Sequence, residues 1–308
     1  MAERKVVASS VVRRLNDASA AIMGDAEDDP GFLHVIMSQV GLPYREPKGR
    51  DYIRETGRAS LVLTAGYLRN PATRKMVLQG LPYGAKARLI VLHLCTQAVR
   101  LQSPVVPVAD SLTAYMRTLG IPATGGAKGS IARFKEQLNR LTAARMQFSM
   151  DYGNNRTTQF NPAPMVTRAD LWFADDPRQR VLWPSQVRLS EEFFADLRER
   201  PLPVDPRAFG ALAHSARALD LYTWLAHRLP RVKERAGAFI AWGALQKQFG
   251  ADVADLRDFR SECLTALRQV LLVYPVAKVD QVHGGLRLFR SEPAIARRPS
   301  VRGSRSKD

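Results

Sequence analysis

Apolar residues along this chain recur first at helical and then at alternating spacing, and the same succession occurs twice. Over residues 84–100, Leu89, Ile90, Leu92 and Val99 keep a helical period, and residues 104–108 follow as an extended segment opened by Pro104. Ser111 is placed to cap a helix whose apolar face is Leu112, Tyr115, Met116 and Leu119; Gly120 closes it and Pro122 prevents continuation. A Thr124-Gly125-Gly126 turn leads into residues 130–145, where Ile131, Phe134, Leu138 and Leu141 form one stripe. The period then changes to two. Met146, Phe148, Met150 and Tyr152 alternate, Gly153-Asn154-Asn155 marks a turn, and residues 157–160 resume in β-favouring types. Helix, turn, helix and hairpin predict a wing beside the second helix.

The later half repeats the plan. Residues 218–229 carry Leu219, Tyr222, Leu225 and Ala226 on one helical face, and residues 239–242 read as a short strand. A short helix over 243–249 is closed by Gly250, and Asp252 and Asp255 mark a turn. A long helix over 256–272 then carries the stripe Leu256, Phe259, Cys263, Leu267, Val270 and Leu271. Residues 274–282 and 286–289, joined by His283-Gly284-Gly285, predict the closing hairpin. Between the repeats lie strand patterns over 165–173 and 181–189 around Asp175-Asp176-Pro177, and a helix over 191–198 capped by Ser190. Pro201 and Pro203 mark a boundary. Ahead of the first repeat, residues 1–30 read as a loosely attached, partly disordered arm, 32–40 as a short helix, and Leu61, Val62 and Leu63 as a strand. The expected class is α+β: two tandem winged-helix domains with a flexible N-terminal arm and a disordered basic C-terminal tail. The expected boundaries are 1–60 for the arm and short helix, 61–200 and 201–291 for the two domains, and 292–308 for the tail.

Charge adds a partner to this picture. The 308 residues include 46 Lys and Arg against 29 Asp and Glu, a formal +17. Residues 1–60 are neutral overall, 61–175 carry +9 and 176–308 carry +8, so the excess lies in both repeats. Such a distribution suits a polyanion, although basic charge also serves solubility alone. Cys95 and Cys263 fall inside helical apolar patterns with no metal-ligand spacing, which suits a reducing cytoplasm. No apolar run approaches a membrane span.

Candidate chemistry gathers on the later helix of each repeat. In the first, Ser130, Arg133, Gln137 and Arg140 recur three or four residues apart with Lys128 at the entry. Arg and Gln can bond guanine and adenine edges bidentately, whereas Lys128 and the helix N–H groups suit phosphate. In the second, Arg257, Ser261, Thr265 and Arg268 share a face with Arg260 beside it. Either face alone suits an ordinary solvated helix equally; the duplication favours DNA. Arg156 in the first hairpin and Lys278 and Arg287 in the second are positioned for flanking phosphates, or are plain solvent-facing charges.

Catalytic readings find no support. Gly125-Gly126-Ala127-Lys128-Gly129-Ser130 lacks the Walker spacing, and the five histidines have no metal-pair spacing. No G-x-S-x-G or H-E-x-x-H occurs. No catalytic residue, metal or cofactor is expected. Trp172, Trp183, Trp224 and Trp242 are scattered and read as packing rather than base-stacking groups.

Several ordered blocks carry a resemblance. GLPYGAKARLIVLHLCTQAVR (80–100), DSLTAYMRTLG (110–120), TGGAKGSIARFKEQLNRL (124–141), ALDLYTWLAHRL (218–229), AWGALQKQFG (241–250) and FRSECLTALRQVLLVYP (259–275) resemble the RepA-type plasmid replication initiators over residues 31–290. The resemblance implies tandem winged helices on repeated origin sites, or iterons, with origin opening and recruitment of the host initiator and replicative helicase. It also implies dimer–monomer control and repression of the initiator's own gene, and with no apolar span no membrane partner is expected. By that resemblance Arg257, Arg260, Ser261 and Arg268 are the main readers, with Lys128, Arg133 and Arg140 supporting. A winged-helix transcriptional repressor shares this physics; a DNA-nicking enzyme would need a nucleophile and metal ligands the sequence does not offer.

Overall fold

The computed structural model describes residues 2–24, 29–70, 73–107, 114, 116–117, 122–126, 129–151, 157–160, 165–170 and 186–295. The predicted helix over 111–120 falls largely outside them, as do Lys128, Arg156, Trp172, Trp183 and the tail from 296. The chain opens with α1 (Ala2–Gly24) in place of the expected flexible arm. Its apolar residues are small and weakly periodic, so the pattern along residues 1–30 concealed it. Residues predicted as one helix over 32–40 divide into β1 (Gly31–His34) and a single 3-10 turn, Val35–Ser38. His34 ends the strand, and its Nδ1 accepts from the Ile36 N–H at 3.2 Å.

Strands β2 (Asp51–Thr56) and β3 (Ala59–Thr64) form an antiparallel pair, and a separate hairpin, β4 (Tyr67–Arg69) with β5 (Met76–Leu78), follows. Helix α2 (Gly84–Leu101) is apolar on almost every side; Ala87, Leu89, Ile90, Leu94, Cys95 and Ala98 are all buried, which makes it the central element. After β6 (Val105–Pro107) come α3 (Ser130–Ala143), β7 (Arg145–Asp151), β8 (Thr157–Phe160), β9 (Val166–Asp170) and β10 (Gln186–Leu189). Strands β7 and β8 extend the first sheet to the order β2-β3-β7-β8, while β6, β10 and β9 make a second, three-stranded sheet. Helix α4 (Glu191–Glu199), capped by the Ser190 hydroxyl as its acidic first turn predicts, leads to β11 (Pro201–Val204). This strand pairs with β1, so Gly31 lies opposite Val204 and the chain's start is tied to residue 200 and beyond.

The last part comprises α5 (Pro206–Leu212), α6 (Ala216–Arg228), β12 (Ala238–Ala241), α7 (Trp242–Phe249), α8 (Leu256–Val273), β13 (Val279–Val282) and β14 (Gly285–Leu288). Its sheet runs β12-β14-β13. The β6-β10-β9 sheet has the same order: a strand after the first helix, then the last and the middle strand. The first repeat's counterpart of β13–β14 is therefore β9–β10, and the β7–β8 hairpin predicted as the wing instead joins β2 and β3. Helix α1 packs on α5 and α8, with Leu15 buried and the Arg14 Nε donating to the Ala211 carbonyl at 3.2 Å.

One buried ion pair joins the two parts, and a second arginine cluster stands beside it in the last part. Arg88 of α2 binds Asp220 of α6 through two bonds of 2.6 and 2.7 Å, and its remaining donors reach the carbonyls of Leu42, Pro43 and Gly84. Arg217 binds Asp252 at 2.7 Å, Glu262, and the Phe249 carbonyl at 3.1 Å. Both guanidinium groups lie over the Tyr44 ring, at 5.0 and 5.2 Å from its centre. Burial, reinforced by the neighbouring Asp220, holds the Tyr44 hydroxyl protonated far above its ordinary range.

Candidate nucleic-acid interface

Helix α8 starts where Asp255 turns the chain. Its carboxylate accepts from the Arg257 and Asp258 N–H groups at 2.7 and 3.0 Å, and these bonds hold it below the usual carboxylate range. Phe259, Cys263, Ala266, Leu267, Val270 and Val273 point into the core, which turns the opposite face outward. On that face Arg257, Ser261, Thr265 and Arg268 are exposed, in agreement with the sequence pattern. Arg260 is also exposed and flanks them, its guanidinium 5.5 Å over the Trp242 ring. The Thr265 hydroxyl bonds back to the Ser261 carbonyl at 2.9 Å and so is partly occupied within the helix. Glu262 is drawn to Arg217, which leaves the Arg257–Ser261–Arg268 row with a local positive excess.

Lys278 and Arg287 are exposed but do not mark the tip of their hairpin. Lys278 precedes β13, and Arg287 lies opposite Phe239 and Asp280, so both sit toward its base. The tip is the His283–Gly284 turn, with Gly284 at φ +80°.

The first repeat is built differently from its sequence reading. Of the expected outward row on α3, Arg133 is exposed, but Gln137 and Arg140 retain only 4% and 7% of their surface. The Gln137 side-chain oxygen accepts from the Tyr83 N–H at 2.8 Å. Arg140 donates to the Leu81 carbonyl at 3.2 Å and to Glu46 and Glu136 at 2.6 and 2.5 Å, and stacks 5.1 Å from the Tyr83 ring centre. Burial works against its charge, but the bonds to Glu46 and Glu136 outweigh that and raise its pKa. A three-or-four spacing names two helix faces equally well, and the partners 54 and 59 positions away in sequence decided which face was inner. Ser130 is half-buried and closes the turn before α3: its hydroxyl donates to the Pro122 carbonyl and accepts from the Thr124 N–H at 2.8 Å. On α3 the exposed charges are Arg133 and Glu136, with Lys135 and Asn139 half-buried, a weaker cationic row than that of α8.

Other cations stand near α3 that its periodicity could not reveal. Arg50, Arg69, Arg74, Lys75 and Arg145 are exposed on or beside the strands around the β4–β5 hairpin. The sequence signal was available: no Asp or Glu occurs between Glu55 and Asp110.

Among the described residues no group of three or more His, Cys, Asp and Glu is arranged to hold a metal ion, and no helix is long and apolar enough to cross a membrane. Cys95 and Cys263 are buried, and burial pushes both thiols up to about 12.

A family model described as the plasmid-encoded RepA protein matches residues 81–244. No curated protein matches the chain. The crystal structure of domains 2 and 3 of RctB, in selenomethionine form, shares the fold with a TM-score of 0.50 at 12% identity, over 82% of this chain and 96% of that one. A second crystal structure of RctB domains 2–3 aligns at 13% identity with a TM-score of 0.46, over 82% and 94%.

Proposed function

The chain belongs to the plasmid-encoded RepA protein family, and we propose that it is a plasmid replication initiator that binds repeated duplex sites at the plasmid origin. Two winged-helix units carry the binding. One comprises α6, β12, α7, α8 and the β13–β14 wing; the other comprises α2, β6, α3 and the β9–β10 wing, with β7–β8 inserted between its second helix and its wing. The observation that carries the reading is the exposed Arg257–Ser261–Arg268 row on α8, capped by Asp255 and packed on α6 and α7.

Helix α8 enters a major groove and supplies the sharper base reading. A bidentate Arg–guanine pair contributes about 1–3 kcal/mol of discrimination. Helix α3 enters a second groove segment about 34–36 Å away and contributes mainly through phosphate. The work is done by binding and deformation of DNA, with no covalent step by the protein and no cofactor. Bound repeats promote opening of the adjacent duplex and gather the host initiator and helicase, and a dimer–monomer equilibrium sets how much protein is competent.

Fluorescence anisotropy on a duplex carrying the plasmid's origin repeats tests the reading. If six to ten phosphates are neutralised, affinity falls about a thousand-fold to a hundred-thousand-fold between 50 and 200 mM salt. A salt-independent affinity, or equal affinity for repeat and random duplex, would refute it. Incubation with supercoiled origin plasmid and magnesium is expected to leave the plasmid unnicked.

A further inference from the structure

We infer that the β4–β5 hairpin is a third DNA-contacting element, a cationic ribbon that lies on the duplex backbone beside the segment occupied by α3. The inference rests on the initiator reading and adds a surface that the two recognition helices do not include.

The charge is the first argument. From residue 56 to residue 109 the chain has seven Lys and Arg and no carboxylate. Arg69, Arg74 and Lys75 stand exposed on the hairpin, and the Arg50 guanidinium lies 5.7 Å from the centre of the Tyr67 ring at its base. Three cations on one small ribbon without a carboxylate of its own, and a fourth at its base, suit a polyanion.

The second argument is rigidity. Arg74 sits at φ +57°, a left-handed conformation that a non-glycine residue adopts only under constraint. The constraint is visible: the Arg74 N–H donates to the Asn70 carbonyl at 2.8 Å, the Asn70 N–H to the Lys75 carbonyl at 2.8 Å, and Arg69 Nε to the Arg74 carbonyl at 3.2 Å. The two sides of the turn, Arg69–Asn70 and Arg74–Lys75, are thus bonded to each other before any ligand arrives, which lowers the ordering cost of binding.

The third argument is placement. Both legs of the hairpin are fastened to α3. On the first leg, a Cβ on Gly66 would stand 2.0 Å from the Ala143 carbonyl oxygen, so backbone meets backbone there. On the second leg, Gly80 lies against the Arg140 guanidinium, and Leu81 and Tyr83 are bonded to Arg140 and Gln137. The two side chains that the sequence marks as base readers instead fix a cationic ribbon relative to the helix they belong to. Tyr67, Met76 and Leu78, exposed at 50, 61 and 41%, share one face of the ribbon with Arg69, while Val77, exposed at 42%, lies on the other; these exposed apolar groups suit sugar edges in a minor groove. An apolar protein partner would also cover these four, but would leave the cations without a counter-charge, so duplex DNA is the occupant the ribbon fits.

The test uses the full chain, a labelled random-sequence duplex of about four helical turns, and the variant Arg74→Asn with Lys75→Gln. Asn tolerates the left-handed position, so the fold is retained, and an unchanged melting temperature checks this. Each lost phosphate contact removes about 0.9 from the slope of log affinity against log salt, so the variant's slope should be shallower by about 1.8. Sedimentation should show an unchanged monomer–dimer distribution. An unaltered slope with intact wild-type binding overturns the inference and leaves the initiator reading standing. A changed sedimentation profile with an unaltered slope also overturns it, and makes the ribbon a protein–protein surface. Failure of the wild-type chain to bind the duplex removes both.

Discussion

At the scale of single residues, burial separates arginines that hold the fold from arginines free to meet a ligand. Arg140 belongs to the first group, with its donors committed to Leu81, Glu46 and Glu136. Arg140→Ala is therefore expected to cost about 1–3 kcal/mol of stability while leaving the ratio of repeat to random-duplex affinity unchanged; a collapsed ratio in folded protein would show that Arg140 reads DNA. Two deeply shifted histidines contribute to the acid response. Burial, with Arg100 nearby, brings His93 down to about 4, and burial, then Arg231 and Arg228, does the same for His227. Both titrate near 6.5 in an unfolded chain, so below that pH the unfolded state takes up protons the folded state refuses. Stability is fully present above the unfolded value and declines as pH falls toward about 4. Urea midpoints measured at several pH values should drop over this window, and the double variant His93→Gln with His227→Gln should flatten the drop.

At the scale of elements, what the sequence reveals depends on how local the forces are. Helices α2, α3, α6 and α8 stand within a few residues of their predicted spans because their apolar stripes and caps are local. The face of α8 was legible because its exposed and buried rows differ in kind. The face of α3 was not, since the Tyr83 N–H and the Leu81 carbonyl that claim Gln137 and Arg140 come from a distant loop. Strands β1 and β11 were missed because each is four residues long and makes sense only opposite the other. The hairpin predicted after α3 pairs with β3 in the first sheet, and β10 reaches β6 across some 80 residues; no local pattern encodes either pairing. Strand β14 is central in the last sheet, and a Cβ on Gly285 would stand 2.1 Å from the Ile240 carbonyl oxygen. Gly285→Ala is accordingly expected to cost about 1–3 kcal/mol, with faster amide exchange confined first to β12–β14; unchanged exchange there would contradict this packing.

At the scale of the whole molecule, the two repeats are parts of one interlocked body. The Arg88–Asp220 pair crosses between them, the Tyr44 ring lies under Arg88 of one and Arg217 of the other, and β1 pairs with β11. Removing one member of a buried pair leaves the other charge without compensation, so Arg88→Leu should cost about 3–5 kcal/mol, and Lys, which lacks the guanidinium fork, should not restore it. Wild-type unfolding is expected as a single transition that fluorescence and circular dichroism follow identically. Such coupling fixes the distance between α3 and α8 and so, on the proposed reading, the spacing of the groove segments they meet. Footprinting across the plasmid's own non-coding DNA is the most direct measure of that claim. We expect discrete protected segments at repeated sites, spaced by whole helical turns of about 10–10.5 bp, and lost in the variant Arg257→Ala with Arg268→Ala while random-duplex binding persists. Uniform protection along the DNA, or protected repeats that survive removal of both arginines, would contradict it.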